Sequence, residues 1–152
     1  MIERERKFIC WHIPSTANLF EKQKQIYLYY NKSVEIRVRI KKNELSNTIK
    51  SEVTFKQFID RERRYEFTLP IGNKLGKVIL LLNKNVITKH RYIYIENSQR
   101  WEIDRIISPR GLPIIAEFEN INTTLKVLPK FIKYEVTGVE RYKGKNIYKY
   151  NL

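Results

Sequence analysis

Three short stretches of the chain each place two carboxylates two residues apart: Glu3 and Glu5, Glu102 and Asp104, Glu117 and Glu119. Two others do the same with cations, Arg37 with Arg39 and Lys89 with Arg91. Residues two apart on a β-strand point to one side, roughly 7 Å from each other. Like charges at that spacing repel unless an opposite charge lies between them. A divalent cation fills that role for carboxylates, and a polyphosphate fills it for Arg and Lys. Rows of both signs suit phosphoryl transfer, where catalysis is mostly positioning and neutralisation of charge. On any one strand such residues are more simply a solvated face. The segregation of sign by strand favours the chemical reading.

The neighbours of these residues make them strand residues. Val34, Ile36, Val38 and Ile40 alternate with Glu35, Arg37, Arg39 and Lys41. Tyr65, Phe67 and Leu69 alternate with Arg64, Glu66 and Thr68, and Ile114, Ala116 and Phe118 with Ile115, Glu117 and Glu119. This period of two predicts about eight strands, over 3–10, 34–41, 48–52, 64–69, 86–95, 101–106, 114–119 and 134–137, mostly antiparallel because the connections are short. Helices are fewer. One is expected from a Ser15 or Thr16 cap toward Gln25, and one over 73–83 with Leu75, Val78, Ile79 and Leu82 on one side. A turn or two is expected over 54–61, and a weak helix over 122–128 that stops before Pro129. The tail after Gly138 has no pattern that places it. A closed sheet of about eight strands has room inside for side chains or one small ligand. With the charged faces inward, the interior is a polar tunnel, and the apolar faces look outward under helices such as that over 73–83. The expected fold is α+β, mainly β: an eight-stranded antiparallel closed β-barrel with a few helices outside, as one domain over 1–152.

Composition narrows the partner. The 152 residues hold 30 Lys+Arg against 16 Asp+Glu, a formal net charge of +14. One cysteine, Cys10, excludes an internal disulfide framework and a Cys-based zinc site. Two histidines, His12 and His90, speak against a histidine-rich metal site, so a metal should be held by oxygen. The longest apolar run, 78–82, is too short to span a bilayer, and the charged start does not read as a secretory signal. The expectation is a soluble, cytoplasmic protein without a membrane partner, a monomer or homodimer whose ligand is anionic. Net charge alone does not choose among RNA, a nucleotide, a polyphosphate and a membrane surface. Arg61, Arg63, Lys41, Lys42, Lys143, Lys145 and Lys149 read as surface cations, Trp101, Phe118, Tyr92 and Tyr94 as packing, and Cys10 as a small buried hydrophobe.

The ordered motifs resemble one family. Glu3-Arg4-Glu5-Arg6-Lys7 matches the ExExK signature of the CYTH superfamily, the triphosphate tunnel metalloenzymes. Gln25-Ile26-Tyr27-Leu28, Arg37-Val38-Arg39, Thr48-Ile49-Lys50, Lys89-His90-Arg91-Tyr92, Trp101-Glu102-Ile103-Asp104, Gly111–Glu119 and Glu135-Val136-Thr137 with Arg141-Tyr142 are similar to its later motifs, in order. The resemblance covers nearly the whole chain and implies a triphosphate bound inside the tunnel with Mg²⁺ or Mn²⁺. It implies that Glu3, Glu5, Glu117 and Glu119 hold the metal, with Asp104, Glu102 and Glu66 adding to the acid cluster. It implies that Lys7, Arg37, Arg39, Lys50, Arg64 and Arg91 grip phosphate oxygens, and that Lys89 and Tyr27 form a catalytic pair. There are departures. Arg64 and Thr68 stand where the family's E-x-E-x-E strand carries acids, Val139 stands for an Asp, and Gly144 lies near a missing Asn. The implied activity is hydrolysis of a triphosphate, with inorganic triphosphate ahead of nucleoside or thiamine triphosphate and an RNA 5′ end. The alternatives are a class IV-type adenylyl cyclase, for which no residue marks an adenine site, and a non-catalytic binder of nucleotides or RNA 5′-triphosphates.

Overall fold

The computed structural model describes residues 2–119 and 127–150. Its elements are β1 (Ile2–Cys10), β2 (Asn18–Tyr30), β3 (Val34–Asn43), β4 (Ile49–Phe58), β5 (Arg63–Ile71), α1 (Asn73–Leu81), β6 (Ile87–Glu96), β7 (Gln99–Ser108), β8 (Ile114–Glu119) and β9 (Ile132–Glu135). Two 3-10 turns, Glu140–Tyr142 and Gly144–Asn146, lead into α2 (Ile147–Tyr150). The sheet order is β5-β4-β3-β2-β6-β7-β8-β1, and β1 pairs back onto β5 through Ile2 with Tyr65 and Glu3 with Arg64. Those eight antiparallel strands therefore close into a barrel. β9 is a ninth strand, paired with the far end of β1 through Phe8 and Glu135. No helix among the described residues is long and apolar enough to cross a membrane.

The hairpins are turned by short polar side chains that replace backbone partners. Asn31 Oδ1 accepts from the amides of Ser33 and Val34 (both 2.8 Å), Asn43 Oδ1 from Leu45 and Ser46, and Asp60 Oδ1 from Glu62 and Arg63. Between β6 and β7 only Asn97 and Ser98 intervene, both at positive φ (51° and 60°), the conformation a two-residue hairpin needs.

Two expectations fail for one reason. The segment from Ser15 toward Gln25 is not a helix but a turn at 15–16 followed by the first part of the 13-residue β2, and 54–58 is not a helical turn but the second half of β4. Lys and Gln in these stretches favour helix locally, yet both edges of each strand are taken by ladder partners, and pairing overrides propensity. The expected strand over 134–137 lies earlier, as β9. Most of the expected helix over 122–128 lies outside the described residues. The helix expected over 73–83 is α1.

The apolar core lies outside the barrel wall. On one side Phe8, Trp101, Ile103, Ala116 and Phe118, from β1, β7 and β8, pack under Phe131. On another, Ile26 and Val38 pack under Leu80 of α1. A third cluster, Ile9, Ile115 and Val136 with Ile106 and Tyr142, includes residues that line one end of the interior. The inner wall is thus charged along its middle and apolar where the C-terminal tail meets it.

Candidate active site: a charged cavity inside the barrel

The pleat sends alternate residues inward, and most of those are ionisable. They enclose a cavity of about 340 Å³. Ten acidic and ten basic side chains line it, so the lining is formally neutral and the +14 belongs to the rest of the chain. Lys7, Glu5 and Glu3 come from β1, Arg37 and Arg39 from β3, Lys89 and Arg91 from β6, Glu102 and Asp104 from β7, and Glu117 and Glu119 from β8. The register sets acids of neighbouring strands side by side: Glu5 faces Glu119, and Glu102 faces Glu117.

Most of the cations are already engaged. Arg91 bonds Asp104 (2.8 Å) and reaches Glu102 and Glu117. Lys89 Nζ donates to Asp104 Oδ2 at 2.6 Å. Lys7 lies 3.4 Å from Glu117 and 3.7 Å from Glu5. Burial draws the Lys89 ammonium down to about 7 despite Asp104 beside it, while Arg91 and Lys89 overcome burial to hold the Asp104 carboxyl at about 2. Arg37 and Arg39 differ. Both are buried, and among the described residues neither has a carboxylate within ion-pair distance. Arg39 is held by the amide oxygen of Gln25 through two bonds of 2.8 and 2.6 Å. Arg37 has a 3.5 Å contact to Thr54, and its Nε has no partner. Burial and the charges of Arg37 and Arg91 pull the Arg39 guanidinium down to about 10. Two buried cations without counter-ions are costly, and an anion between them removes that cost.

The opposite imbalance exists among the acids. Arg64 Nη2 gathers Glu5 (2.7 Å), Glu3 (3.2 Å) and Glu119 (3.7 Å), and Arg64 Nε bonds Glu66 at 3.0 Å. As they stand, no three Asp, Glu, His or Cys side chains among the described residues form a ready metal cage. The donors nevertheless fit a hard divalent ion. They are all carboxylate oxygen, and three of them already converge on one cationic nitrogen. Even so, burial and the charges of Glu102, Glu5, Glu117 and Glu3 push the Glu119 carboxyl up to about 7. More positive charge is wanted there than Arg64 supplies.

No family model matches the chain. An inorganic triphosphatase of Acetivibrio thermocellus is 30% identical over 128 residues, 83% of this chain and 79% of that protein. The chain belongs to the CYTH superfamily. Solved structures agree with this CYTH fold. An inorganic triphosphatase at 22% identity matches 95% of this chain and 93% of its own with a TM-score of 0.68. A Pyrococcus horikoshii protein at 26% identity matches 80% of each chain with a TM-score of 0.55. A Hippeastrum protein described as an adenylyl cyclase with a dominant triphosphatase activity matches 80% of each at 12% identity and a TM-score of 0.51.

Of the residues that the CYTH motifs single out, the barrel brings Glu3, Glu5, Lys7, Tyr27, Arg37, Arg39, Arg64, Glu66, Lys89, Arg91, Glu102, Asp104, Glu117 and Glu119 into one lining. Lys50 is not among them. It sits exposed at the start of β4, opposite Lys41, beyond the enclosed part of the wall. Arg64 contacts carboxylates rather than the Arg37 and Arg39 side of the cavity. Lys41, Arg61 and Lys143, read above as surface cations, line the cavity, and Lys145 is buried with its ammonium on the carbonyl of Asn31. Lys56 was missed because 54–61 was read as helix, and Glu52, though in the expected strand over 48–52, was not singled out because no motif marks it. As strand residues they share the inward parity, and Lys56 bonds Glu66 at 3.1 Å. Thr68, in the place of an acid, bonds Thr54 at 3.0 Å.

The C-terminal tail finishes the site. Lys7 Nζ lies 3.4 Å from the carbonyl of Tyr142, and Gly144 abuts the Tyr27 hydroxyl so closely that a Cβ there would collide with it. From the other side Gln25 donates to that hydroxyl at 3.2 Å. Tyr27 is therefore fixed between Gly144, where a Cβ would displace its hydroxyl, and the amide that also holds Arg39. Gly144, found in the sequence only as a departure from the family, is what lets the tail close on the barrel.

Proposed function

We propose that this chain hydrolyses inorganic triphosphate with Mg²⁺ or Mn²⁺. The observation that carries the reading is the pair of buried guanidiniums without carboxylate partners, Arg37 and Arg39, across the same cavity from a carboxylate cluster with too little positive charge. The Acetivibrio thermocellus relative, named as an inorganic triphosphatase, supports it. The lining also favours a substrate without a nucleoside. Of the three aromatic rings on the lining, Phe58 has its face covered by Lys145 (4.6 Å) and Lys143 (5.0 Å), and the Tyr27 hydroxyl is held by Gln25 and abuts Gly144.

Arg37 and Arg39 grip the oxygens of one end of the triphosphate, Arg with its fork and Lys7 as a point charge. Lys89 and Arg91 stand between them and the acids, so phosphate competes with Asp104 for both. Glu3, Glu5, Glu117 and Glu119 would hold the divalent cation, which supplies Lewis acidity to phosphate oxygens. Water attacks the terminal phosphorus, the bridging P–O bond breaks, and pyrophosphate leaves with the bridging oxygen. Tyr27, held by Gln25 and Gly144, orients the phosphate beside Lys89.

The test is to incubate the protein with triphosphate, ATP, thiamine triphosphate and a 5′-triphosphorylated RNA, each with Mg²⁺ or Mn²⁺, and to identify the products. Orthophosphate and pyrophosphate from triphosphate, at the highest kcat/KM of the four, are expected. Cyclic AMP from ATP, or binding of all four without turnover, would replace this reading.

A pH dependence follows from Glu119. A cation must displace the proton on a carboxyl whose pKa lies near 7, so Mn²⁺ affinity, read as free Mn²⁺ by electron paramagnetic resonance between about pH 5 and 8, should fall about tenfold per unit below 7. Without metal the sign reverses. The folded state binds the proton more tightly than the unfolded chain, whose value is near 4.5, so this group's contribution to stability is complete below 4.5 and is lost as pH rises through 7.

A further inference from the structure

The barrel wall is apolar outside as well as charged inside, and only part of that outer face is covered. Over β2, β3 and β4, α1 seals the end that carries Ile26, Val38 and Val53. Among the described residues nothing is seated on the other end. Tyr29 pairs with Ile36, Ile36 with Phe55 and Phe55 with Phe67, one row across β2, β3, β4 and β5. Tyr65 and Ile2, paired with each other across the β1–β5 seam, and Leu69 extend it. Phe67 is 60% exposed, Tyr29 54%, Tyr65 50%, Ile2 45%, Leu69 42% and Phe55 40%.

An aromatic side chain presents roughly 150–250 Å² when free, so these six side chains leave on the order of 500 Å² of contiguous apolar surface in water. Monomeric proteins rarely leave so much bare. Doubled across a two-fold axis it reaches about 1,000 Å², the lower bound for a specific interface. Charge decides what sits there. The rest of the chain outside the cavity carries the whole +14, which sets two copies against each other almost everywhere. On this face the nearby cations are neutralised in place: Arg4 by Glu62 at 2.5 Å and Arg63 by Asp60 at 2.6 Å. A polyanion finds no free cation in the row to hold. A second copy offers the one complement the row needs, an equally apolar and charge-poor face.

We propose that the exposed Tyr29–Ile36–Phe55–Phe67 row, with Tyr65, Ile2 and Leu69, is a two-fold interface between two copies of this chain. The pairing stacks sheet on sheet outside the barrels, with aromatic side chains at its centre. The two cavities remain separate, so the pairing is independent of the proposed hydrolysis.

Sedimentation equilibrium of the full chain tests it. The expected species has twice the 18.4 kDa of the chain. Phe67→Glu should sediment as a single chain with an unchanged circular-dichroism melt and unchanged turnover per site, because Phe67 lies outside the cavity and packs little in the monomer. Phe67→Cys supplies a second check, since the native Cys10 is buried: oxidation should join two copies through the new thiol. A native chain that stays at 18.4 kDa, a Phe67→Glu variant that still pairs, or loss of pairing in Leu81→Glu on α1 instead would each overturn the proposal. So would flotation of the native chain with phosphatidylcholine vesicles that Phe67→Glu abolishes, which would make the row a membrane contact.

Discussion

Glu117→Gln is expected to lower Mg²⁺- or Mn²⁺-dependent turnover of triphosphate by about a thousandfold, a barrier increase of ~4 kcal/mol, while the barrel still folds. Glu117 links two cations of the inner wall. Lys7 and Arg91 lie 3.4 and 3.3 Å from it, and against burial these two, with Lys89, hold its carboxyl well below the usual range. The amide keeps the volume and an acceptor but removes the negative charge. That weakens the proposed cation site and leaves Lys7 and Arg91 with less to organise them. The loss should appear in kcat and in Mn²⁺ binding together, with the circular-dichroism spectrum unchanged. Full turnover in Glu117→Gln would remove Glu117 from the metal site.

Arg39→Ala acts on the other wall and should show a different kinetic signature. KM for triphosphate is expected to rise about a hundredfold, the loss of a charge-assisted fork on phosphate. A smaller fall in kcat should accompany it. Arg39 donates twice to Gln25, and Gln25 donates to Tyr27, so truncation also loosens the phenol. Arg39→Lys restores a charge without the fork and should recover only part of the KM. Equal losses in kcat and kcat/KM with KM unchanged would mean that Arg39 is not a ground-state phosphate ligand.

The barrel and most of its inner wall were legible in the sequence because alternation and function coincide. Arg37 and Arg39 are inward for the same reason that Val38 is outward. Where the two separate, the reading failed. Lys41 continues the parity of Arg39, yet as the last residue of the expected strand and one more lysine in a basic chain it reads as surface until the cavity is seen to reach it. Lys56 was hidden by a stretch whose local composition favours helix, and only pairing with β3 and β5 makes it strand. The place of Lys50 shows the converse. Its inward parity is right, but parity says nothing of how far along the wall the cavity extends. The tail could not be read at all, because its placement rests on a contact between Gly144 and Tyr27, far apart in sequence, rather than on any periodicity.

The even balance of acids and bases along the inner wall has a consequence for how a substrate gets there. A neutral interior casts little field beyond its mouth, so long-range attraction of a polyanion falls to the lysines and arginines of the exterior. Salt screens such attraction over a Debye length of about 8 Å at physiological strength. Ionic strength should therefore govern how often a triphosphate arrives, and hardly touch how long it stays once enclosed.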